Sequence, residues 1–350
     1  MQPPTKLRIA QVAPLWTSIP PATYGGIELV VHLLCEELVR GGHEVTLFAS
    51  GDSKTSARLR SVCERNLLDL MTTCEASTYE YYANALVTEA LRAAKEFDVI
   101  HFHVGPQWIP MGALSPAPVL FSLHTFLSED DRWVTKRYPN VPLAAISRFQ
   151  VAGSDRDIPV VYNGCDFNAF ELSTEPGKYL AFLGRMSHDK NPLDAIRIAK
   201  AAGMPLLLAG RPQDAEETEY FETLIKPLVD GENIRYLGAV DHAQKNELLR
   251  NAAALLFPVQ WEEPFGLVMI EAMACGTPVV ARDLGAVTEV VDPGVTGFRH
   301  TSMDELAALV PRALALDRAT VRSHAASRFG FQRMVGDYLN LYRKLVSHQE

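Results

Sequence analysis

Two glutamates, Glu263 and Glu271, stand with seven residues between them in the segment Trp261–Ala281. Glu263 lies in a predicted loop beside Pro264 and Gly266, whereas Glu271 lies in a predicted, otherwise apolar helix. A carboxylate on such a helix is costly to bury unless it has partners. Two sugar hydroxyls would satisfy it, because a carboxylate accepts two hydrogen bonds. The alternative is a structural glutamate that caps nearby backbone.

A basic pair, Arg185 and Lys190, flanks a predicted strand-to-helix turn that begins at Gly184. A guanidinium group holds phosphate oxygens in bidentate fashion, and an ammonium group acts as a compact charge. Together they could stabilise a departing diphosphate without a metal ion. Two solvated surface cations are the alternative.

The dipeptide Gly25-Gly26 follows Tyr24 and opens a predicted helix after the first predicted strand. Glycines in such a turn let backbone N–H groups approach a phosphate at the positive end of a helix. The pattern is not G-x-G-x-x-G, so it does not indicate a nicotinamide dinucleotide site. An ordinary strand-to-helix turn remains the alternative.

His101 and His103 project from the same face of the predicted strand Asp98–Val104. With His124 they could be imagined as zinc ligands, but no fourth ligand stands at a telling spacing. Asp155-Arg156-Asp157 has the D-x-D form of metal-dependent sugar transferases of another fold, yet it lies in a polar linker. The sequence therefore predicts no metal site.

Short apolar runs alternate with amphipathic stretches, which predicts βα units and parallel sheets. The alternation breaks at Asn163-Gly164 and restarts at Tyr179. We therefore expect an α/β protein with two Rossmann-like domains facing each other across a cleft: 1–165 and 166–330, with a C-terminal helix in 331–350 packing on the first. Ligands of such sheets bind at the carboxyl ends of the strands.

The bulk composition limits the function classes. The 350 residues are 47% hydrophobic and carry a net charge of −9, which disfavours nucleic acid as a partner. No apolar run approaches the ~20 residues that span a bilayer, and no signal peptide is visible, so membrane association is not indicated. Five scattered cysteines favour reduced thiols. We expect a cytoplasmic protein.

The motifs as an ordered set resemble the retaining, nucleotide-sugar-dependent glycosyltransferases of family 4, which have the GT-B fold and an E-x7-E signature. The resemblance spans almost the whole chain and is carried by the Glu263–Val280 string, Gly184-Arg185 with Lys190, Gly25-Gly26, Asn163-Gly164-Cys165-Asp166 before Phe170, and Phe331–Tyr342.

The resemblance implies a donor site in the C-terminal half. Glu271 is expected to bind the donor ribose, and Glu263 the transferred sugar or its phosphates. The other donor contacts that the resemblance implies are the backbone of Phe265, Gly266 and Leu267, the diphosphate-binding residues Gly184, Arg185 and Lys190, and Gly25 and Gly26 on the same phosphates.

The N-terminal half is expected to supply a catalytic histidine and the acceptor site. His103, nearer the carboxyl end of its strand, is preferred over His101, so the implied catalytic set is His103, Arg185, Lys190 and Glu263. The acceptor-side candidates are Tyr24, His101, Trp108 and His124, with the loops Trp16–Tyr24 and Thr125–Trp133.

The expected activity is metal-independent, retaining transfer of a hexosyl group from a nucleoside diphosphate sugar, UDP preferred over GDP, to an unidentified sugar or glycoconjugate acceptor. No cofactor is expected beyond this co-substrate. The alternatives are a non-catalytic nucleotide-sugar-binding protein, or a sugar-nucleotide epimerase or phosphorylase on the same fold.

Overall fold

The computed structural model describes residues 6–23 and 25–347 and divides the chain into two units. The first unit comprises Met1–Gly164 with Phe331–Glu350, and the second comprises Cys165–Gly330. The chain therefore passes between the units twice, and an isolated bridge between Cys165 and Gly330 pairs the two connections. Each unit contains one six-stranded parallel sheet, so the α/β class with two Rossmann-like domains is confirmed.

The sheet of the first unit has the strand order β3-β2-β1-β4-β5-β6. The order reverses between β1 and β4, and ligands of doubly wound sheets bind at such a switch point, beyond the carboxyl ends of the strands. We call that side of each sheet its carboxyl edge. The strands are β1 Arg8–Val12, β2 Glu44–Phe48, β3 Arg58–Arg60, β4 Val99–Phe102, β5 Val119–Leu123 and β6 Leu143–Ala145.

The longer helices of this unit are amphipathic and cover the sheet. The first of them buries Val30, Leu34 and Leu38, which recur every four residues and form one apolar stripe. It stops at Gly41-Gly42, where Gly42 has a φ of +86° that favours glycine. The helices are α1 Gly26–Arg40, α2 Leu67–Thr72, α3 Tyr79–Arg92, α4 Ile109–Gly112 and α5 Glu129–Arg137.

The second unit repeats the design with the order β12-β11-β10-β7-β8-β9, which reverses between β10 and β7. Its strands are β7 Tyr179–Leu183, β8 Leu206–Ala209, β9 Ile234–Tyr236, β10 Ala252–Phe257, β11 Val279–Arg282 and β12 Gly297–His300. Its helices are α6 Pro192–Ala202, α7 Ala215–Tyr220, α8 His242–Arg250, α9 Leu267–Ala274, α10 Val287–Val290, α11 Met303–Leu314 and α12 Arg318–Phe329.

The last helix, α13 Phe331–Ser347, returns to the first unit, where it contacts α1 and β4. Its Tyr338 and Tyr342 are fully buried there. Among the described helices, none is both long and apolar enough to cross a membrane.

Several segments differ from the sequence prediction, and two of them have a clear local cause. Residues 160–162, expected as a strand, pair with β6 only through the bridge of Val160 to Ala145, since Pro159 has no N–H to extend the ladder. The expected loop Thr125–Trp133 becomes helical from Glu129. Ser128 explains this start, because it forms a capping box with Asp131.

Candidate functional site

Three glycines at the carboxyl edge of the second sheet keep its strand ends free of side chains. Gly184 follows β7, Gly210 follows β8 and Gly238 lies beyond β9. The Gly210 N–H donates to the Gly238 carbonyl over 2.8 Å. A Cβ on Gly210 would lie 1.8 Å from the Gly184 oxygen, so only glycine fits there. This part of the edge is open to the close approach of a ligand to backbone.

Lys190 and Glu263, 73 residues apart, meet at the same edge. The Lys190 ammonium forms an ion pair with Glu263 Oε2, and the Trp261 indole N–H donates to that oxygen over 2.9 Å. Lys190 Nζ also lies 4.9 Å from the centroid of the Trp261 ring. Glu263 is only 7% exposed, so its carboxylate is held by a lysine and an indole that sequence reasoning did not connect to it.

The loop that carries Glu263 is fixed by backbone contacts. The Ala286 N–H donates to the Glu263 carbonyl over 2.8 Å, and a Cβ on Gly285 would lie 2.5 Å from the Glu263 nitrogen. Gly266, at a φ of +84°, then turns the chain into α9, which begins at Leu267. The Phe265 side chain is buried and packs edge-on against Phe329. Phe265 can therefore meet a ligand mainly through its backbone.

Glu271 is paired with a residue that the sequence did not indicate, Lys245 of α8. The Lys245 ammonium forms an ion pair with Glu271 Oε1 and lies 5.5 Å from the centroid of the Phe170 ring. Glu271 is only 6% exposed. The sequence predicts that this helix begins only at Asn246, which leaves Lys245 outside the helix and gives no sign of its contact with Glu271. Asp241 caps it earlier, and the Gln244 N–H donates to the Asp241 side chain over 2.9 Å.

Arg185 is not paired with Glu263, the carboxylate that Lys190 contacts, but with another carboxylate of the second unit. Its guanidinium forms an ion pair with Glu217 of α7, and a second nitrogen lies 3.9 Å from Asp189. Glu217 also accepts a hydrogen bond from the Gln213 N–H over 2.8 Å. The two predicted diphosphate-binding cations, Lys190 and Arg185, thus each lie against a carboxylate.

The predicted histidines of the first unit form one hydrogen-bonded group at its carboxyl edge. His103 Nδ1 lies 2.9 Å from His124 Nε2, and His103 Nε2 lies 2.8 Å from Gln11 Oε1. His101 is bonded on both ring nitrogens, to Tyr342 over 2.7 Å and to Ser122 over 2.8 Å. His101 and His103 are buried, whereas His124, directly after β5, is half-buried.

Burial keeps these rings neutral. It lowers the pKa of His101 and of His103 well below the usual value and lowers the pKa of His124 to about 4. Each ring therefore carries one N–H at neutral pH and accepts at its other nitrogen.

The remaining candidates are dispersed. Gly25 packs so closely that a Cβ would lie 2.7 Å from Pro21 Cβ, and its role in phosphate binding, like that of Gly26, stays a prediction. Tyr24 lies outside the described residues. Trp108 is buried in the core of the first unit. Of the D-x-D pair, Asp155 forms an exposed ion pair with Lys136 at 3.1 Å.

Two family models match the chain in succession. Residues 24–168 match the model described as Glycosyltransferase Family 4, and residues 166–328 match the model described as Glycosyl transferases group 1.

Two curated proteins illustrate the similarity. The phosphatidyl-myo-inositol mannosyltransferase of Mycobacterium leprae is 27% identical over 345 residues, with 90% of this chain and 88% of that protein covered. The D-inositol 3-phosphate glycosyltransferase of Mycolicibacterium smegmatis is 27% identical over 387 residues, with 92% and 87% covered.

Solved structures agree with these matches. AviGT4, a glycosyltransferase involved in avilamycin A biosynthesis, is 29% identical, with a TM-score of 0.74 and 98% of both chains covered. Anabaena HepE, solved in complex with UDP-glucose, has 19% identity and a TM-score of 0.72, with 95% of this chain and 99% of that chain covered. The likeness to HepE shows the shared GT-B fold.

Proposed function

Because the chain belongs to the family 4 glycosyltransferases, we propose that it transfers a glycosyl group from a nucleoside diphosphate sugar to a hydroxyl of a sugar or glycoconjugate acceptor, with retention of configuration and without a metal ion. The observation that carries the proposal is the pair of lysine–glutamate contacts, Lys190 with Glu263 and Lys245 with Glu271, in the second unit. The carboxylates accept from hydroxyls, and the cations bind phosphate oxygens.

A bound donor would become the new partner of Lys190, Arg185 and Glu263. A diphosphate would draw Lys190 from Glu263 and Arg185 from Glu217. Glu263 would then accept a hydrogen bond from the transferred sugar, and Glu271 from the ribose. Lys190 and Glu263 keep a partner through this exchange, which matters because an unpaired buried charge is costly.

In the proposed reaction, the bond between the anomeric carbon and the diphosphate oxygen breaks, and the acceptor oxygen bonds to that carbon on the same face. The acceptor proton goes to the departing phosphate. Lys190 and Arg185 would neutralise the charge that grows on this leaving group. We assign Glu263 and Glu271 to hydrogen bonds with hydroxyl groups of the donor, and we assign no covalent nucleophile to either of them.

We assign the acceptor to the carboxyl edge of the first unit. Of the three histidines there, His124 is the only one that is not fully buried, so we assign it, rather than the buried His103, to the substrate. Trp16, in one of the predicted acceptor loops, is 44% exposed and stacks on Tyr79 at a centroid distance of 4.3 Å. An indole face of this kind suits the C–H face of a sugar ring.

Calorimetric titration with UDP, GDP, ADP and UDP-glucose, with and without Mg²⁺, tests the donor site. UDP-glucose is the first choice because the similar HepE binds it. We expect one nucleotide to bind without Mg²⁺ and Glu271→Gln to weaken it about 10- to 100-fold, the loss expected for hydrogen bonds to a charged acceptor. Glu305→Gln, at an exposed position of α11 in the same unit, is the control.

Wild-type protein that is folded and binds none of these nucleotides would overturn the proposal. Nucleotide binding without turnover on any acceptor of a broad panel would favour the non-catalytic alternative. Proton NMR of the product reports the anomeric configuration, and an inverted product would contradict the same-face reaction.

A further inference from the structure

A continuous hydrogen-bonded network joins the half-buried His124 to the C-terminal helix. Gln11 of β1 lies at its centre and is fully buried. We call this set of contacts the Gln11 network. From His124 to Gln11 it comprises His124 Nε2 to His103 Nδ1 at 2.9 Å and His103 Nε2 to Gln11 Oε1 at 2.8 Å. From Gln11 to the C-terminal helix it comprises Gln11 Nε2 to Tyr342 OH at 3.0 Å, Tyr342 OH to His101 Nδ1 at 2.7 Å, His101 Nε2 to Ser122 Oγ at 2.8 Å, and Ser122 Oγ to Tyr338 OH at 2.8 Å.

The carboxamide of Gln11 makes the two ends of this network different. Its oxygen can only accept, so His103 must donate from Nε2. A neutral His103 then accepts at Nδ1, and His124 must donate from Nε2. His124 Nδ1 is then left as the ring nitrogen with a lone pair, which can accept a hydrogen bond.

The same reasoning runs the other way from the amide nitrogen. Gln11 Nε2 donates to the Tyr342 hydroxyl, which in turn donates to His101 Nδ1. His101 then donates from Nε2 to Ser122, whose hydroxyl oxygen lies 2.8 Å from Tyr338 OH. Turning the Gln11 amide over would reverse every one of these donors, so one buried side chain fixes the proton positions of three histidines.

We propose that Gln11 is a positioning residue which, through His103, holds His124 in the tautomer with a protonated Nε2 and an acceptor Nδ1. This inference rests on the proposed function, in which His124 meets the acceptor substrate. An Nδ1 lone pair accepts a hydrogen bond from a substrate hydroxyl and repels a phosphate oxygen. The network therefore selects a hydroxyl-bearing group at this position.

Long-range proton–nitrogen NMR spectra of histidine-labelled, ligand-free protein at pH 7.5 test the proposal, since they separate the two neutral tautomers. His124→Asn assigns the signals of His124. We expect wild-type His124 to be protonated at Nε2 only, and Gln11→Leu to populate its Nδ1–H tautomer. Tyr338→Phe, which changes only the far end of the network, is the matched control and is expected to leave His124 unchanged.

Gln11→Glu gives a sharper result. A carboxylate accepts from both neighbours, so His103 still donates and His124 keeps its tautomer. Tyr342 must now donate to the carboxylate, so His101 is expected to switch its proton from Nε2 to Nδ1. A structural role alone would predict no such opposite behaviour of two histidines.

Turnover provides the functional measurement. Gln11→Leu is expected to lower kcat about 10-fold, the effect of one lost hydrogen bond in the transition state, with a smaller change in the KM of the donor. Wild-type His124 protonated at Nδ1, or an unchanged tautomer in Gln11→Leu, would overturn the inference, and the wild-type spectrum decides alone if the variants do not fold. Failure of the proposed function would show separately, as wild-type protein without nucleotide binding.

Discussion

At the scale of single residues, Lys245 fixes the orientation of the Glu271 carboxylate. The carboxylate is buried on an apolar helix, and Lys245 is its charged partner among the described residues. A buried charge that loses its partner is strongly destabilising. Lys245 therefore balances the charge of the Glu271 carboxylate and orients one oxygen, Oε1, so that the other oxygen can accept from a ribose hydroxyl.

We expect Lys245→Met to weaken nucleotide binding about 10-fold or more and Lys245→Arg to restore most of it, because the charge and not the chain length orients Glu271. The affinities of Lys245→Met for a nucleotide and for its 2′-deoxy analogue should also differ less than those of the wild-type protein. Calorimetric titration measures both effects. Lys226→Met, which removes an exposed lysine paired with Glu222, is the control.

A double-mutant cycle separates this role from a general loss of stability. If Lys245 acts through Glu271, then Lys245→Met combined with Glu271→Gln should bind nucleotide no worse than Glu271→Gln alone. Simple additivity of the two losses would contradict it.

Sequence reasoning identified the residues with local signals but not their partners. Glu263, Glu271 and Lys190 were recognisable from residue type and spacing. The partners Lys245 and Gln11 depend on tertiary contacts, and Gln11 meets Tyr342 across 331 positions of the chain. Nothing in a single sequence shows that such contacts will bury both histidines on one strand face.

At the scale of elements, Arg318 ties α12 to the sheet of the second unit. Its buried guanidinium donates to the carbonyl oxygens of Ser173, Ala252 and Arg250 and to the hydroxyl of Thr277, over 2.6 to 2.8 Å. Burial lowers the pKa of Arg318. Ser173 and Thr277 lie outside the helices and strands, Ala252 begins β10, and Arg250 ends α8, whose last carbonyl groups have no partner within the helix.

Arg318→Met is expected to lower the free energy of unfolding by about 3 kcal/mol, because it leaves several buried acceptors unpaired. Urea denaturation measures the loss. Arg197→Met removes an arginine that is 69% exposed and pairs with Asp194, and it should cost less than about 1 kcal/mol. Similar losses in both variants would show that the buried contacts of Arg318 add nothing.

The elements were predictable where the apolar pattern was strong. The apolar runs of the sequence predict strands at Val119–Leu123 and Tyr179–Leu183 and a helix at Pro192–Ala202, and the structure has the same bounds. The helix α12 was missed because its polar residues form no clear stripe. Arg318 and Arg322 of this helix donate hydrogen bonds to carbonyl groups elsewhere in the fold, and the periodicity of a sequence does not show such contacts.

At the scale of the whole molecule, the two units are expected to differ in their response to acid. Burial lowers the pKa of five histidines of the first unit, His32, His43, His101, His103 and His124. Unfolding exposes these rings, so below pH ~6.5 the unfolded chain binds protons that the folded unit does not. Stability is then present at neutral pH and lost as the pH falls.

For the three histidines of the Gln11 network alone, the slope approaches about 4 kcal/mol per pH unit between pH 6 and 5. Burial raises the pKa of Glu28, so the folded unit binds up to one proton more than the unfolded chain at this residue, which reduces the slope. Calorimetry at pH 7, 6 and 5 should show one transition moving to lower temperature first. Limited proteolysis at pH 5 should cut the first unit before the second, and equal stability at pH 7 and pH 5 would refute the argument.

The discontinuous first unit also bears on how the protein is made. On the ribosome, residues 165–330 emerge as one stretch and can fold as soon as they are clear of the exit tunnel. The first unit begins earlier but must wait for α13, because Tyr338 and Tyr342 complete its buried polar network. A nascent chain that stops before residue 331 thus has a finished second unit and an unfinished first one. Translation must therefore pass α13 before His124, which we assign to the acceptor, is held by its complete network.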